Sequence, residues 1–174
     1  MKISCIQMDM RLGEVDCNFA HAQALIRSAA EAEHPDVVVL PETWNTGYFP
    51  ADLASTADKD GARTKEVFSA LARELNVNIV CGSVANRKAD GFYNTAYVFD
   101  RTGAVIAEYD KTHLFTYARE HEYFRPGDHT CRFTLDGKSC GLIICYDLRF
   151  PELTRSMTLE GVDRLCVVAQ WPEK

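Results

Sequence analysis

The sequence predicts an α/β protein in which helices cover a central β-sheet. Continuous β-branched runs such as DVVVLPE, Asp36 to Glu42, are typical of strands that are buried on both faces. Segments with apolar residues three and four positions apart alternate with these runs and indicate amphipathic helices. No repeat, low-complexity tract or linker interrupts this alternation, so we expect a single domain over residues 1–174.

The elements follow one another in a regular order along the chain. The segment Asp16-Cys17-Asn18 can cap a first helix, whose apolar stripe runs from Phe19 to Ala30. Residues 43–61 are predicted to form a loop, and residues 111–129 form a polar, aromatic and irregular segment. The predicted strands cover residues 2–8, 36–42, 78–81, 96–99, 105–109, 132–135, 139–144 and 164–169, and further helices cover 67–75 and 151–159.

The composition limits the classes of function. A net charge of -6 argues against a nucleic-acid-binding surface, and no apolar stretch approaches membrane-spanning length. The N-terminal segment MKISCIQMDM is too short and too polar for a signal peptide. Seven cysteines without a CxxC pair predict a reducing, cytoplasmic location rather than a disulfide framework or a metal site.

Three predicted strands lead directly to residues that could perform chemistry. The run VVVLP leads to Glu42, IAEYD leads to Lys111, and GLII leads to Cys145. Side chains at the ends of neighbouring strands can converge in one cleft. A thiol needs a base or a nearby positive charge to act as a nucleophile, and Glu42 and Lys111 would supply both. Lys111 and the backbone N–H of Tyr146 could then hold the oxyanion of a tetrahedral intermediate.

The local sequences around these residues resemble a known family. LPETW around Glu42, YDKTHLF around Lys111 and CYDLRFPE around Cys145 look like the three signature blocks of the nitrilase superfamily of carbon–nitrogen hydrolases. The resemblance implies an αββα sandwich, a Cys-Glu-Lys triad and an acyl-thioenzyme intermediate without any cofactor. The segment REHEYFRPGD implies that Glu120 is a further glutamate that positions the substrate and the Lys111 ammonium.

The resemblance also implies a substrate class and an assembly. HLFTYAREHEYFRPG and VAQWPEK look most like the omega-amidase branch, whose members release ammonia from small linear carboxylates with a terminal amide. Proximity to the signature blocks suggests substrate-binding roles for Trp44, Tyr48, Phe150 and Trp171. The family pattern implies a homodimer or higher homo-oligomer, and it continues past Lys174, so we expect a sandwich that lacks its C-terminal part.

Two alternatives remain open at this point. The first is a hydrolase of a different fold that uses Asp, Lys and Cys, with Asp9 as the base. The second is a catalytically inactive, truncated relative that binds a partner. A lone cysteine at a strand end is more often a packing residue than a nucleophile, so the matching contexts of Glu42 and Lys111 carry the catalytic interpretation.

Overall fold

The computed structural model describes residues 1–171 as two β-sheets packed face to face, with helices on the outer face of each sheet. The strands are β1 (Ile3–Cys5), β2 (Val37–Val39), β3 (Asp58–Lys59), β4 (Asn78–Lys88), β5 (Gly91–Phe99), β6 (Val105–Asp110), β7 (Cys131–Leu135), β8 (Lys138–Ile144) and β9 (Arg164–Val168). The helices are α1 (Val15–Glu33), α2 (Leu53–Thr56), α3 (Ala62–Leu75) and α4 (Pro151–Leu159). Short 3₁₀ turns lie at Thr116–Ala118, Glu120–Glu122 and Cys145–Arg149.

The larger sheet has the strand order β1-β2-β4-β5-β6, and β3 pairs with β4 off this path. Strands β1, β2 and β4 are parallel because helices α1 and α3 occupy the connections between them. Strands β5 and β6 continue the sheet as antiparallel hairpins. Helices α1 and α3 cover one face of this sheet, with Phe19, Ile26, Phe68 and Leu71 packed in the same core as Val38, Ile79 and Phe99.

The smaller sheet has the order β7-β8-β9, and its inner face packs against the larger sheet. Residues of both sheets share this inner core, which includes Val80, Val98, Tyr109, Phe133, Leu142 and Val168. Helix α4 covers the outer face, where a Cβ at Gly141 would lie 3.1 Å from the Met157 sulfur. The resulting helix–sheet–sheet–helix layering confirms the predicted α/β sandwich.

Several predicted boundaries were wrong. The first helix begins at Val15 without a side-chain cap, and Asn18 instead bonds to the backbone of Arg11 and Asn45. Residues 43–61 contain the short elements α2 and β3. Strands β4 and β5 extend well beyond residues 78–81 and 96–99, because the polar side chains of Asn86 and Thr95 bond to each other inside the sheet.

None of the helices in residues 1–171 is both long and apolar enough to cross a membrane.

Candidate active site

Glu42 is held by the loop that follows β2. The loop packs closely on β4, because Ser83 donates a backbone hydrogen bond to the Pro41 carbonyl and the Thr43 N–H donates to the Ser83 hydroxyl. Gly82 permits this approach, since its φ is +56° and a Cβ there would lie 1.9 Å from the Pro41 oxygen. The Glu42 carboxylate is completely buried as a result.

Lys111 lies at the end of β6 and points into the same interior. Its backbone is fixed on both sides, because its N–H donates to the Asn94 carbonyl at 2.9 Å and its carbonyl accepts from Gly127 at 2.9 Å. Its ammonium lies 2.8 Å from Glu42 Oε1 and 2.9 Å from Glu120 Oε2, and none of the three side chains is exposed. Burial opposes the charge of the ammonium, but the two carboxylates outweigh it and raise the pKa of Lys111.

Glu120 joins this cluster from a 3₁₀ turn. Its Oε2 accepts a hydrogen bond of 2.6 Å from the Phe115 N–H, which fixes the carboxylate to its own loop. Its Oε1 accepts from the Lys111 ammonium at 3.1 Å and from the Asn94 amide at 3.0 Å. The neighbouring acidic residue, Glu122, faces outward and pairs with Arg119, so it does not contact the cluster in residues 1–171.

Cys145 begins the 3₁₀ turn that follows β8, in the left-handed backbone region with a φ of 47°. This conformation is uncommon for a residue with a Cβ, and the surrounding structure must hold it in place. The completely buried Asp147 carboxylate does so by accepting hydrogen bonds from the Ile144 N–H at 3.0 Å, the Tyr109 hydroxyl at 2.8 Å and the His113 N–H at 2.8 Å.

The charges of Glu42 and Lys111 both affect the pKa of the Cys145 thiol. Burial, followed by the negative charge of Glu42, raises the pKa of Cys145 to about 12. The positive charge of the Lys111 ammonium acts in the opposite direction. The thiol is therefore protonated at neutral pH, and a nucleophilic role requires a base that accepts its proton.

The two oxygens of Glu42 accept different numbers of hydrogen bonds. Oε1 accepts from the Lys111 ammonium at 2.8 Å and from the Asn94 amide at 2.9 Å. Oε2 accepts one backbone hydrogen bond, of 3.2 Å, from Gln170. Since a carboxylate oxygen has two lone-pair sites, Oε2 keeps one site that no donor in residues 1–171 occupies.

A cavity of about 280 Å³ opens onto Cys145. Its walls are mainly aromatic, and the lining residues are Tyr48, Phe49, Phe115, Ala118, Cys145, Tyr146, Gln170 and Trp171. Burial and the nearby Glu42 raise the pKa of Tyr48, so its hydroxyl stays protonated and can donate a hydrogen bond. A mainly apolar pocket with a few polar groups at one end suits a small organic substrate.

The fold agrees with comparisons with known proteins. The family model described as carbon-nitrogen hydrolase matches residues 2–174. The chain belongs to this family. A CN-hydrolase superfamily protein from Xanthomonas campestris, with an arsenic adduct in its active site, has a TM-score of 0.89 and 29% identity to this chain. That match covers 99% of this chain and 66% of the solved one.

Two curated relatives indicate the branch of the carbon–nitrogen hydrolases to which the chain is similar. It is 43% identical to a 2-oxoglutaramate amidase of Bacillus subtilis, over 98% of this chain and 65% of the relative. It is 31% identical to the omega-amidase NIT2 of Pongo abelii, over 94% of this chain and 61% of the relative. The chain thus spans less than two thirds of the length of these curated relatives.

The structure of this carbon–nitrogen hydrolase chain brings together most of the residues that the sequence singled out. Glu42, Lys111 and Glu120 form one hydrogen-bonded cluster beside Cys145. Tyr146, whose backbone N–H is predicted to hold an oxyanion, lines the cavity.

The four residues proposed to bind substrate divide into two groups. Tyr48 and Trp171 line the cavity. Phe150 lies behind it, where its ring stacks on His113 at 3.7 Å between ring centroids. Trp44 is completely buried in the core on the helix-covered side of the larger sheet, 4.7 Å from the ring of Phe19, and its indole N–H donates to the Cys81 carbonyl. A substrate beside Cys145 would not reach Trp44, so we remove it from the candidate site.

Two residues that contact the buried carboxylates, Asn94 and Gln170, were not predicted from the sequence. Asn94 belongs to β5 and donates to both Glu42 and Glu120, and Gln170 follows β9 and donates to Glu42 through its backbone. Asn94 lies outside the predicted strand 96–99 and next to the polar Thr95, so no local pattern marked it. Gln170 makes its contact through the backbone N–H, which almost every residue has, so the residue type cannot indicate it.

Proposed function

We propose that the protein containing this chain is a thiol-dependent amidase that releases ammonia from small linear amides. The observation that carries the proposal is the buried Glu42–Lys111–Glu120 cluster beside Cys145. Burying two carboxylates and an ammonium costs stability compared with apolar side chains of similar volume. Such a cluster next to a thiol in an open cavity is well explained by catalysis.

The chemistry starts with proton transfer from the Cys145 thiol to Glu42 Oε2. The sulfur attacks the amide carbon, and Lys111 with the Tyr146 N–H stabilises the oxyanion. The C–N bond then breaks as Glu42 returns the proton to the departing ammonia, which leaves an acyl-thioenzyme. Water, activated by the same carboxylate, attacks the thioester, releases the acid and restores the thiol.

A cation next to a pocket-lining residue favours a substrate that carries a carboxylate in addition to the amide. Arg149 is exposed, and its guanidinium lies 5.7 Å from the ring centroid of Trp171, which lines the pocket. No acidic side chain in residues 1–171 lies within ion-pair distance of Arg149, so its charge is available to a ligand. The names of the relatives, 2-oxoglutaramate amidase and omega-amidase, agree with this substrate class.

The geometry also bears on the two alternatives. Asp9 is exposed, and the ion pairs of Lys111 within the described residues are with Glu42 and Glu120, which leaves Asp9 without the contact that a base would need. A purely binding role leaves the buried charge cluster unexplained. A cytoplasmic location and a homodimer stay predictions.

Ammonia release from a panel of small amides tests the proposal. We expect the full-length protein to hydrolyse succinamate in preference to butyramide, which lacks the carboxylate. Cys145→Ala and Cys145→Ser should lower kcat/KM by at least about 10⁴-fold, because loss of a nucleophile removes the covalent route. Cys140→Ala, which removes a buried thiol from the strand that precedes Cys145, is the matched control.

The same assay distinguishes the candidate bases. Glu42→Gln should abolish turnover, whereas Asp9→Asn should retain it. Substantial ammonia release by either Cys145 variant, or loss of activity in Asp9→Asn with retention in Glu42→Gln, would overturn the proposed function. Absence of turnover on every amide, with the wild-type protein folded, would favour the binding role.

A further inference from the structure

Asn94 connects the two buried carboxylates of the candidate site. Its side chain is completely buried, and its Nδ2 lies 2.9 Å from Glu42 Oε1 and 3.0 Å from Glu120 Oε1. An amide nitrogen carries two hydrogens, so one side chain can donate to both carboxylates at the same time. The backbone carbonyl of the same residue accepts the Lys111 N–H at 2.9 Å. Asn94 therefore contacts Glu42, Glu120 and Lys111 together.

The orientation of this amide depends on the charge of its neighbours. In residues 1–171, Asn94 Oδ1 is the buried side-chain polar atom that has no hydrogen-bond partner. A reversed amide would point this oxygen at two carboxylate oxygens and would be favourable only if one of them carried a proton. The observed orientation leaves Oδ1 unsatisfied in exchange for two charge-assisted hydrogen bonds, which are the stronger kind.

The two hydrogen bonds from Asn94 matter because of the charges that surround it. Glu42 and Glu120 face a single ammonium, that of Lys111, so two ionised carboxylates would leave one negative charge in excess in the buried cluster. The other titratable groups that face it are the Cys145 thiol and the Tyr48 phenol, which both stay neutral at physiological pH. The adjacent residue, Thr95, bonds instead to Asp110, which pairs with Lys88.

We propose that Asn94 is a positioning residue that keeps Glu42 and Glu120 ionised together, so that Glu42 can accept the thiol proton. Without its two donors, the excess negative charge would be relieved by proton uptake on one carboxylate. A proton shared between Glu42 and Glu120 would then compete with the proton of Cys145. This inference rests on the proposed function, since it takes Glu42 to be the base.

The pH dependence of Cys145 reactivity tests this role without requiring turnover. Alkylation by iodoacetamide is followed at the Cys145 peptide by mass spectrometry in wild type, Asn94→Leu and Asn94→Asp. In Asn94→Leu we expect the acidic midpoint of the rate profile to rise by about one pH unit or more, because hydrogen bonds to an ionised carboxylate are lost. Asn94→Asp keeps the shape but adds a third carboxyl, so its midpoint should rise further.

Asn78→Leu is the matched control. Asn78 is also a buried asparagine whose amide donates two hydrogen bonds, but it begins β4 and bonds to Asp36 and Asp136, outside the candidate site. This variant should lose stability without moving the midpoint. A shift of the same size in Asn78→Leu would mean that the effect is general destabilisation, and it would overturn the proposal.

Two further outcomes separate the inference from the proposed function. Suppose that the wild type releases ammonia and that folded Asn94→Leu and Asn94→Asp keep the wild-type alkylation midpoint. The proposed role of Asn94 is then wrong, and the proposed function is unaffected. If the midpoint shifts although no amide is hydrolysed, the amidase activity fails, while the pairing of Glu42 with the Cys145 thiol and the role of Asn94 in it stand. Carboxyl ¹³C NMR of the wild type needs no variant: a protonated Glu42 or Glu120 between about pH 5 and pH 8 would overturn the inference.

Discussion

At the scale of single residues, the Cys145 thiol combines a position suited to attack with an environment that opposes ionisation. Its exposed fraction is 4%, and its pKa is raised to about 12 by burial and by Glu42. A cysteine that worked as a free thiolate would require the opposite shift. In the proposed mechanism the sulfur therefore depends on Glu42 to accept its proton before it attacks the amide carbon.

The same residue scale shows what local sequence can reveal. Glu42, Lys111 and Cys145 each follow an apolar strand, so a local pattern placed them at strand ends that face one cleft. Asn94 occupies the interior of a strand, and its partners lie 52 and 26 residues away along the chain. No local pattern encodes such a contact, because it depends on the order of strands in the sheet. The sequence therefore indicated the candidate reacting groups but not Asn94, which bridges two of them.

At the scale of elements, the turn after β8 is the part of the structure on which the geometry of Cys145 depends. Asp147 joins this turn to the segment after β6, because one carboxylate accepts from Ile144, Tyr109 and His113. The His113 ring nitrogen lies 2.9 Å from the same carboxylate, and the ring stacks on Phe150. This arrangement gives Phe150 a supporting role behind the pocket.

The Asp147→Asn variant tests this connection. An amide at this position would offer one acceptor oxygen instead of two, so at least one buried donor would lose its partner. We expect the free energy of unfolding to fall by about 1–3 kcal/mol. We expect kcat/KM to fall about 10- to 100-fold, because the thiol shifts relative to Glu42. Urea denaturation and steady-state kinetics measure the two effects.

Asp128→Asn is the control for this variant, since its side chain is 98% exposed. Wild-type kinetics in a folded Asp147→Asn protein would show that the turn holds Cys145 without this carboxylate.

The elements also show where the sequence-based boundaries failed. Strands β4 and β5 were predicted too short because Asn86 and Thr95 look like loop residues in isolation. Inside the sheet, Asn86 donates to Thr95 and to the Tyr97 hydroxyl, and Thr95 donates to Asp110. Polar strand residues that satisfy one another across strands are invisible to a pattern based on hydrophobicity. The bounds of β7, β8 and β9 in the smaller sheet were predicted to within one residue.

At the scale of the whole molecule, the buried thiols make the stability of the folded state depend on pH in the alkaline range. Burial raises the pKa of Cys131 to about 12 and that of Cys166 to about 11, both on the smaller sheet. In the unfolded chain a thiol ionises at about pH 8.5. The folded state therefore favours the protonated thiols, and their contribution is fully present below the unfolded value and is lost as the pH rises towards the folded values.

Urea denaturation between about pH 7 and pH 11 tests this linkage. We expect the free energy of unfolding to fall above about pH 8.5, by up to about 1.4 kcal/mol per pH unit for each such thiol. Cys131→Val should make this decline shallower, because it removes one titrating group from the core. Cys17→Ala removes an exposed thiol and should leave the decline unchanged. A stability that is constant through this range would contradict the account.

The fold class of the whole molecule was predictable from the sequence, but the pairing of its strands was not. Alternating apolar runs and amphipathic helices indicated an α/β fold, and the resemblance of the three blocks indicated the two-sheet sandwich. The pairing of β2 with both β1 and β4, and the position of β3 beside β4, depend on side chains from distant parts of the chain that pack together. The convergence of the candidate site depends in addition on the packing of the two sheets, because Cys145 follows a strand of the smaller sheet.

Rapid quenching of the full-length protein with succinamate, followed by peptide mass spectrometry, tests the central claim most directly. If Cys145 attacks the amide with Glu42 as its base, the Cys145 peptide should carry the acyl group as a thioester during turnover. Glu42→Gln should show no adduct over the same interval. Ammonia release by the wild-type protein without any adduct at Cys145, or with the acyl group on another residue, would contradict the account.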